Sequence, residues 1–116
     1  MPKDVMRGEI YWVDWNPGRG SEQGGQRPAL VIQNNIGNKH SPTTIVAALT
    51  TASEKPYPFL VKVTPKESGL PKDSTINLAV ILTIDKTRLT DKCGELSEAK
   101  MAEVDGAIRV SLAITI

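Results

Sequence analysis

The hydrophobic period of this chain changes once, and the change limits it to a β-rich body with a helical end. From Thr75 to Ile84 the apolar residues Ile76, Leu78, Val80, Leu82 and Ile84 alternate strictly, which predicts a strand with one buried face. Beyond Gly94, Met101, Val104, Ile108 and Leu112 recur at helical spacing, which predicts one helix with one apolar stripe. Ser97 is its expected N-cap, Leu96 is placed to staple onto Met101, and Gly106 weakens the helix interior by about 1 kcal/mol relative to alanine. Upstream, Glu9 to Trp15, Ala29 to Gln33, Thr44 to Thr50 and Phe59 to Thr64 read as further strands, each bounded by Gly, Pro or Asn. The run Ile45-Val46-Ala47-Ala48-Leu49 has no polar face, so its strand is expected to be central and covered on both sides. Short strands followed by a terminal helix predict a mainly β fold, a small curved antiparallel barrel closed by that helix.

A chain of 116 residues supports one core, hence a single domain over 1–116. Cys93 is the only cysteine, so no intramolecular disulfide forms and a reducing compartment fits. The first residues lack the apolar segment of a signal peptide, and no apolar run approaches a membrane span. These features predict a cytoplasmic protein with no membrane partner. Net charge is +1, but residues 1–93 carry 12 basic and 9 acidic side chains and residues 94–116 carry 2 and 4. A phosphate-binding surface is therefore expected as a local patch on the first part of the chain.

Two stretches read as loops, Asn16 to Arg27 and Asn34 to Pro42, and the first has no apolar side chain except Pro17. Long loops inside a small domain are commonly functional. Arg27 precedes Pro28, so its backbone is held extended at the start of a strand, where its guanidinium offers a planar fork for phosphate or carboxylate. Gly24 and Gly25 allow backbone N–H groups to approach an anion, and Ser21, Glu22, Gln23 and Gln26 add polar groups beside them. The stretch reads as a cradle for a phosphodiester, or as a solvated hairpin tip in which Arg27 pairs with Glu22. Thr50 ends the central strand, where its hydroxyl serves a ligand or simply suits a strand. His40, the only histidine, is a formal acid–base candidate, but a lone loop histidine more commonly makes local hydrogen bonds. Cys93 reads as a small core hydrophobe, and Lys86, Arg88 and Lys92, set among Asp85 and Asp91, read as a solvated face. No His, Cys or carboxylate set has metal-ligand spacing, so neither metal nor other cofactor is expected.

RGEIYWVDWNPGRGSEQGGQRPALVIQN, followed by TIVAALT, YPF and TIDKTRLTDK, resembles the MazF toxins, the PemK-like mRNA interferases of toxin–antitoxin systems, and within them the Gram-positive branch. The resemblance implies a CcdB/MazF-type fold, an SH3-like barrel with helices, acting as a homodimer. It also implies an endoribonuclease that cuts single-stranded RNA at short sequences and is inhibited by a cognate MazE-like antitoxin. The family's catalytic Arg and Thr fall on Arg27 and Thr50, and its loop residues map to Ser21, Glu22 and Gln23. Electrostatic stabilisation by Arg27 is favoured over general-acid catalysis because a guanidinium is a poor proton donor at neutral pH. Glu22 is the candidate base. Where close relatives carry polar Glu-Gln and commonly Arg, associated with RNA contact, this chain has Ala79, Val80 and Leu82, which leaves the cut sequence open. Two other classes stand beside this reading: a gyrase poison of CcdB type acting through the Ser97 to Ile116 helix, and a non-catalytic binding module on the same barrel.

Overall fold

In the computed structural model, which describes residues 4–15, 26–52 and 55–115, the strands are β1 (Glu9–Asp14), β2 (Gln26–Val31), β3 (Thr43–Thr51), β4 (Leu60–Val63), β5 (Ser74–Asp85) and β6 (Leu89–Glu95). They form one six-stranded sheet in the order β4-β5-β3-β2-β1-β6. Every pairing is antiparallel. The helices are α1 (Asn35–His40), α2 (Pro65–Ser68) and α3 (Glu98–Leu112). The expected strands are all present, although β2 starts three residues early because Gln26, Arg27 and Pro28 pair with Asp14, Val13 and Trp12. Strand β3 is central and covered on both sides. Ala47 and Leu49 join a core with Ile10, Leu30, Ile76, Leu78 and the α3 residues Val104 and Ala107. Val46 joins a second, smaller cluster with Tyr11, Val13, Ala29, Val31, Ile84 and Leu89.

Strand β5 departs from its expected single buried face. Ala48 pairs with Asn77 but Ala47 pairs with Ile81, so three residues, Leu78, Ala79 and Val80, have no partner on β3. An odd insertion reverses the side on which the alternating residues fall, and it bends the strand. Ile76 and Leu78 consequently enter the larger core and Ile84 the smaller one, while Val80 and Leu82 are each 41% exposed. The bend curls the sheet until α2, which follows one edge strand, meets β6 at the other edge. There the chains touch backbone to backbone: a Cβ on Gly94 would lie 2.6 Å from the Ser68 carbonyl oxygen, and one on Gly69 (φ +81°) 2.0 Å from that of Cys93. The curved, nearly closed antiparallel barrel expected from the strand pattern is formed in this way.

Strand β6 and helix α1 were not legible as elements. Strand β6 is an edge whose burial is irregular, and two register shifts interrupt its pairing with β1. In α1, Asn34 accepts the Gly37 N–H as N-cap, and buried Asn38 accepts from the Thr44 hydroxyl (2.7 Å) and Gln33 Nε2 (3.0 Å). Lys86 corrects the expected solvated face. Its N–H donates to the Pro42 carbonyl, which draws it against α1, and its buried ammonium donates to the Asn38 carbonyl. Helix α3 is capped by Ser97, whose hydroxyl accepts the Lys100 N–H, and the expected stripe is buried at Val104 but 55% exposed at its last residue, Leu112. No helix among the described residues is long and apolar enough to cross a membrane.

Candidate active site

Arg27 and Thr50 come together because β2 begins where β3 ends. The register sets Ala29 against Ala48, Leu30 against Ala47 and Val31 against Val46. The recorded pairing stops at Ala29; extended two residues toward the strand ends, the same register would set Arg27 opposite Thr50, with both side chains on one face. Facing Cβ atoms in antiparallel strands lie about 5 Å apart. Both residues are exposed. Arg27 makes no side-chain hydrogen bond or ion pair among the described residues. The Thr50 hydroxyl donates to the Thr51 carbonyl at 3.2 Å, an exposed bond that a phosphoryl oxygen can replace.

Ser21, Glu22, Gln23, Gly24 and Gly25, the expected cradle and candidate base, lie outside the described residues. Gln26 falls on the opposite face from Arg27, because successive strand residues alternate, and its Oε1 is 2.9 Å from the Thr90 hydroxyl. His40 is not brought to the pair. It ends α1 just before β3 begins, and the length of β3 puts it roughly 20 Å from Thr50. Cys93 packs against the larger core, and burial with the nearby Asp91 pushes its thiol pKa up, away from a nucleophilic thiolate. Among the described residues no three His, Cys, Asp or Glu side chains are grouped to hold a metal.

Several residues near the pair carry no signal readable from the sequence alone. Arg88 lies beside Leu89, which pairs with Val13, which in turn pairs with Arg27; its Nη1 donates to the Asp14 carbonyl at 3.1 Å. The register of β6 is what brings this second guanidinium to the end of β1. On the other side of Thr50 lies a pocket of ≈ 170 Å³, lined by Trp12, Pro28, Leu49, Thr50, Thr51, Leu70, Pro71, Lys72 and Ser74. Its residues come from four separate segments.

Away from this end, the sheet edge is fastened by a buried carboxylate. Glu9 accepts the Met6 N–H at 2.8 Å and the Tyr11 hydroxyl at 3.0 Å, and pairs with Lys92 at 3.0 Å. Burial pushes the Glu9 pKa up, but those donors outweigh it and hold the group below its ordinary value. Burial and the Glu9 carboxylate push Tyr11 up to about 12, and the bond to Glu9 raises Lys92.

The family model for the PemK-like, MazF-like toxin of type II toxin–antitoxin systems matches residues 6–112. The chain is 51% identical to endoribonuclease EndoA of Bacillus subtilis over 111 residues, 95% of this chain and 96% of the relative. It is 50% identical to endoribonuclease MazF of Staphylococcus epidermidis over 111 residues, 95% of this chain and 92% of that one. Among solved structures, a mycobacterial endoribonuclease in complex with its cognate antitoxin superposes with a TM-score of 0.80 at 27% identity, covering 97% of this chain and 98% of the other. Matches of this extent to Gram-positive relatives, on the same sheet and helices, establish that the chain belongs to the PemK-like, MazF-like toxin family of type II toxin–antitoxin systems, in its Gram-positive branch.

Proposed function

We propose that this MazF-like endoribonuclease toxin cuts single-stranded RNA between Arg27 and Thr50, using the ribose 2′-OH as nucleophile. The observation that supports the reading is the β2–β3 register, which, extended two residues, would bring a guanidinium with no side-chain partner among the described residues opposite an exposed hydroxyl. The 2′-oxygen attacks the adjacent phosphorus and the bond from phosphorus to the 5′-oxygen breaks. The products are a 2′,3′-cyclic phosphate and a 5′-OH. The reacting oxygen is already beside its phosphate, so positioning supplies much of the rate. Charge grows on the phosphoryl oxygens in the transition state, and the Arg27 fork and Thr50 hydroxyl stabilise it there more than in the ground state. Glu22 takes the 2′-proton. Ser21, Gln23, Gly24 and Gly25 hold the RNA backbone, whereas Gln26, bonded to Thr90 on the opposite face, steadies the strand end that carries Arg27.

The active form is a cytoplasmic homodimer neutralised by a cognate MazE-like antitoxin. Supporting an assembly, Val80, Leu82, Val110 and Leu112 are 41%, 41%, 51% and 55% exposed, apolar surface that a partner would cover. Apolar Ala79, Val80 and Leu82 offer no side-chain hydrogen bonds to bases, so this stretch adds no polar reading of the cut sequence.

The test is an RNA with one 2′-deoxynucleotide at the cut position. Cleavage there should stop while the oligonucleotide still competes for binding, because phosphate charge is unchanged. All-ribose RNA should be cut equally fast in excess EDTA. Cutting at the deoxy position, or loss of activity in EDTA, would make water the nucleophile and overturn the mechanism.

A further inference from the structure

We infer that the cavity around Lys86 is a separate anion site, which takes the phosphate group of a small molecule, free or as a monoester. The cavity lies at the start of β3, because Thr43 pairs with Asp85, the residue before Lys86. Thr50 is near the other end of the same strand, roughly 20 Å away at about 3.3 Å per residue. The phosphate bound here is therefore not the scissile one.

Lys86 is only 7% exposed, yet it lines a cavity of ≈ 380 Å³. An ammonium carries three donors, and this one meets a single acceptor, the Asn38 carbonyl. Among the described residues no carboxylate forms an ion pair with it. A buried charge is costly unless it is paired, and one carbonyl does not neutralise it. The other charged side chains in the cavity wall are Asp4 and Lys39, both exposed. Two ammonium groups against one carboxylate leave the wall with an excess positive charge.

Asn35 supplies a neutral donor in the same wall. Its Oδ1 accepts the Arg7 N–H at 2.7 Å and Asn38 Nδ2 at 3.2 Å, which fixes the orientation of the amide. Its own Nδ2 is left without a partner among the described residues. Asn38, by contrast, is saturated: Nδ2 also donates to the Gln33 carbonyl, and Oδ1 accepts from Gln33 and Thr44. The Lys86 and Lys39 ammonium groups and the Asn35 amide are thus the donors left for an oxyanion. Lysine binds phosphate as a point charge, and three terminal phosphate oxygens suit three separate donors better than a carboxylate's two. The cavity stands at the lower end of small-molecule sites, about 300–1,000 Å³. That leaves room for a small organic body against Val5 and Met6, with Asp4 as acceptor for its hydroxyl.

The experiment follows amide NMR signals of the full chain during titration with inorganic phosphate and, separately, with glycerol 3-phosphate, chloride holding ionic strength constant. Saturable shifts should appear at the Asn35 side-chain amide and at the Asn38 and Lys39 backbone amides. Asn35→Asp keeps an oxygen for Arg7 and Asn38 but replaces the free donor with a charged oxygen. Its Kd should weaken at least about 10-fold, the low end for one hydrogen bond to a charged group. Lys86→Met should weaken binding by at least as much, whereas Arg27→Ala should bind like wild type. Whichever probe binds more tightly identifies the source of the phosphate group, ester or free ion.

Lys86→Met also separates a ligand site from a structural staple. Methionine has a similar length and removes the buried charge, so without phosphate the variant should be at least as stable as wild type. Phosphate should raise the Tm of wild type and not that of the variant. A loss of stability in Lys86→Met that phosphate leaves unaltered, with undiminished phosphate binding by Asn35→Asp, would make the lysine a staple and overturn the site. Shifts that never saturate, that survive both substitutions or that vanish in Arg27→Ala would overturn it too. So would the same shifts produced by the uncut 2′-deoxy RNA, which would make the cavity part of the RNA track.

Discussion

Arg27 and Thr50 should behave as one device, and a double-mutant cycle measures it. Removing one preorganised donor to a charged transition state costs about 10²- to 10³-fold in rate, or about 2.7–4 kcal/mol, so Arg27→Ala should fall in that range. Thr50→Val removes one hydroxyl bond to a charged oxygen, worth about 1.5–3 kcal/mol, or about 10- to 150-fold. Acting independently, the two losses would multiply. The register, however, extended two residues past its last pair, would set the residues opposite each other at about 5 Å, well inside the range of about 7–10 Å within which additivity fails. If both hold the same phosphoryl group, either deletion already spoils its placement, and the double variant should fall short of the product by about 2- to 150-fold. Single-turnover cleavage of a short RNA isolates the chemical step. Urea unfolding provides the control, because two exposed side chains away from the core should shift stability by no more than about 0.5 kcal/mol. Wild-type cleavage by Arg27→Ala, or strictly multiplicative losses, would refute a shared phosphoryl site.

Glu9 is held below its ordinary pKa of 4.5, so its contribution is fully present above that value and disappears as pH falls through the folded pKa. Urea midpoints should therefore show Glu9→Gln costing stability at pH 7 and progressively less below pH 4.5. Gly94→Ala should unfold at clearly lower temperature, because its new methyl would sit 2.6 Å from a backbone oxygen of the opposing α2 segment. Gly106→Ala should do the opposite, raising stability by about 1 kcal/mol, since a Cβ there meets nothing within 4 Å. An acidic antitoxin segment should compete with RNA for the Arg27 groove and inhibit less well as salt rises; simultaneous binding with undiminished cleavage would place the inhibitor elsewhere.

Much of the fold was legible because burial and period agree locally. The run Ile45 to Leu49 has no polar face because it serves two cores, and Ser97 marks the start of α3 because a side-chain cap is a local bond. The misreadings share a non-local cause. Val80 and Leu82 continue an alternation that the sequence keeps perfectly, and only the slip in β3–β5 pairing exposes them. Lys86 has the composition of a solvated run, yet a carbonyl on a different helix receives its ammonium. Strand β6 is polar because it is an edge, and its existence depends on β1 offering an unpaired side.

The same division separates the two halves of the site. Arg27 was legible because its neighbours, two glycines before it and a proline after it, state a local requirement for close approach and then stiffness. Its relation to Thr50 was not, because twenty-two residues separate them and only a strand register decides whether they share a face. The Trp12 pocket is further from view, since four segments build it and none of its residues is unusual in place. A one-residue slip between β2 and β3 would preserve every local signal and both cores' composition. It would also turn Thr50 away from Arg27. Strand β3 pairs with β2 on one side and β5 on the other, so the alignment proposed for Arg27 and Thr50 belongs to the sheet and not to either local sequence.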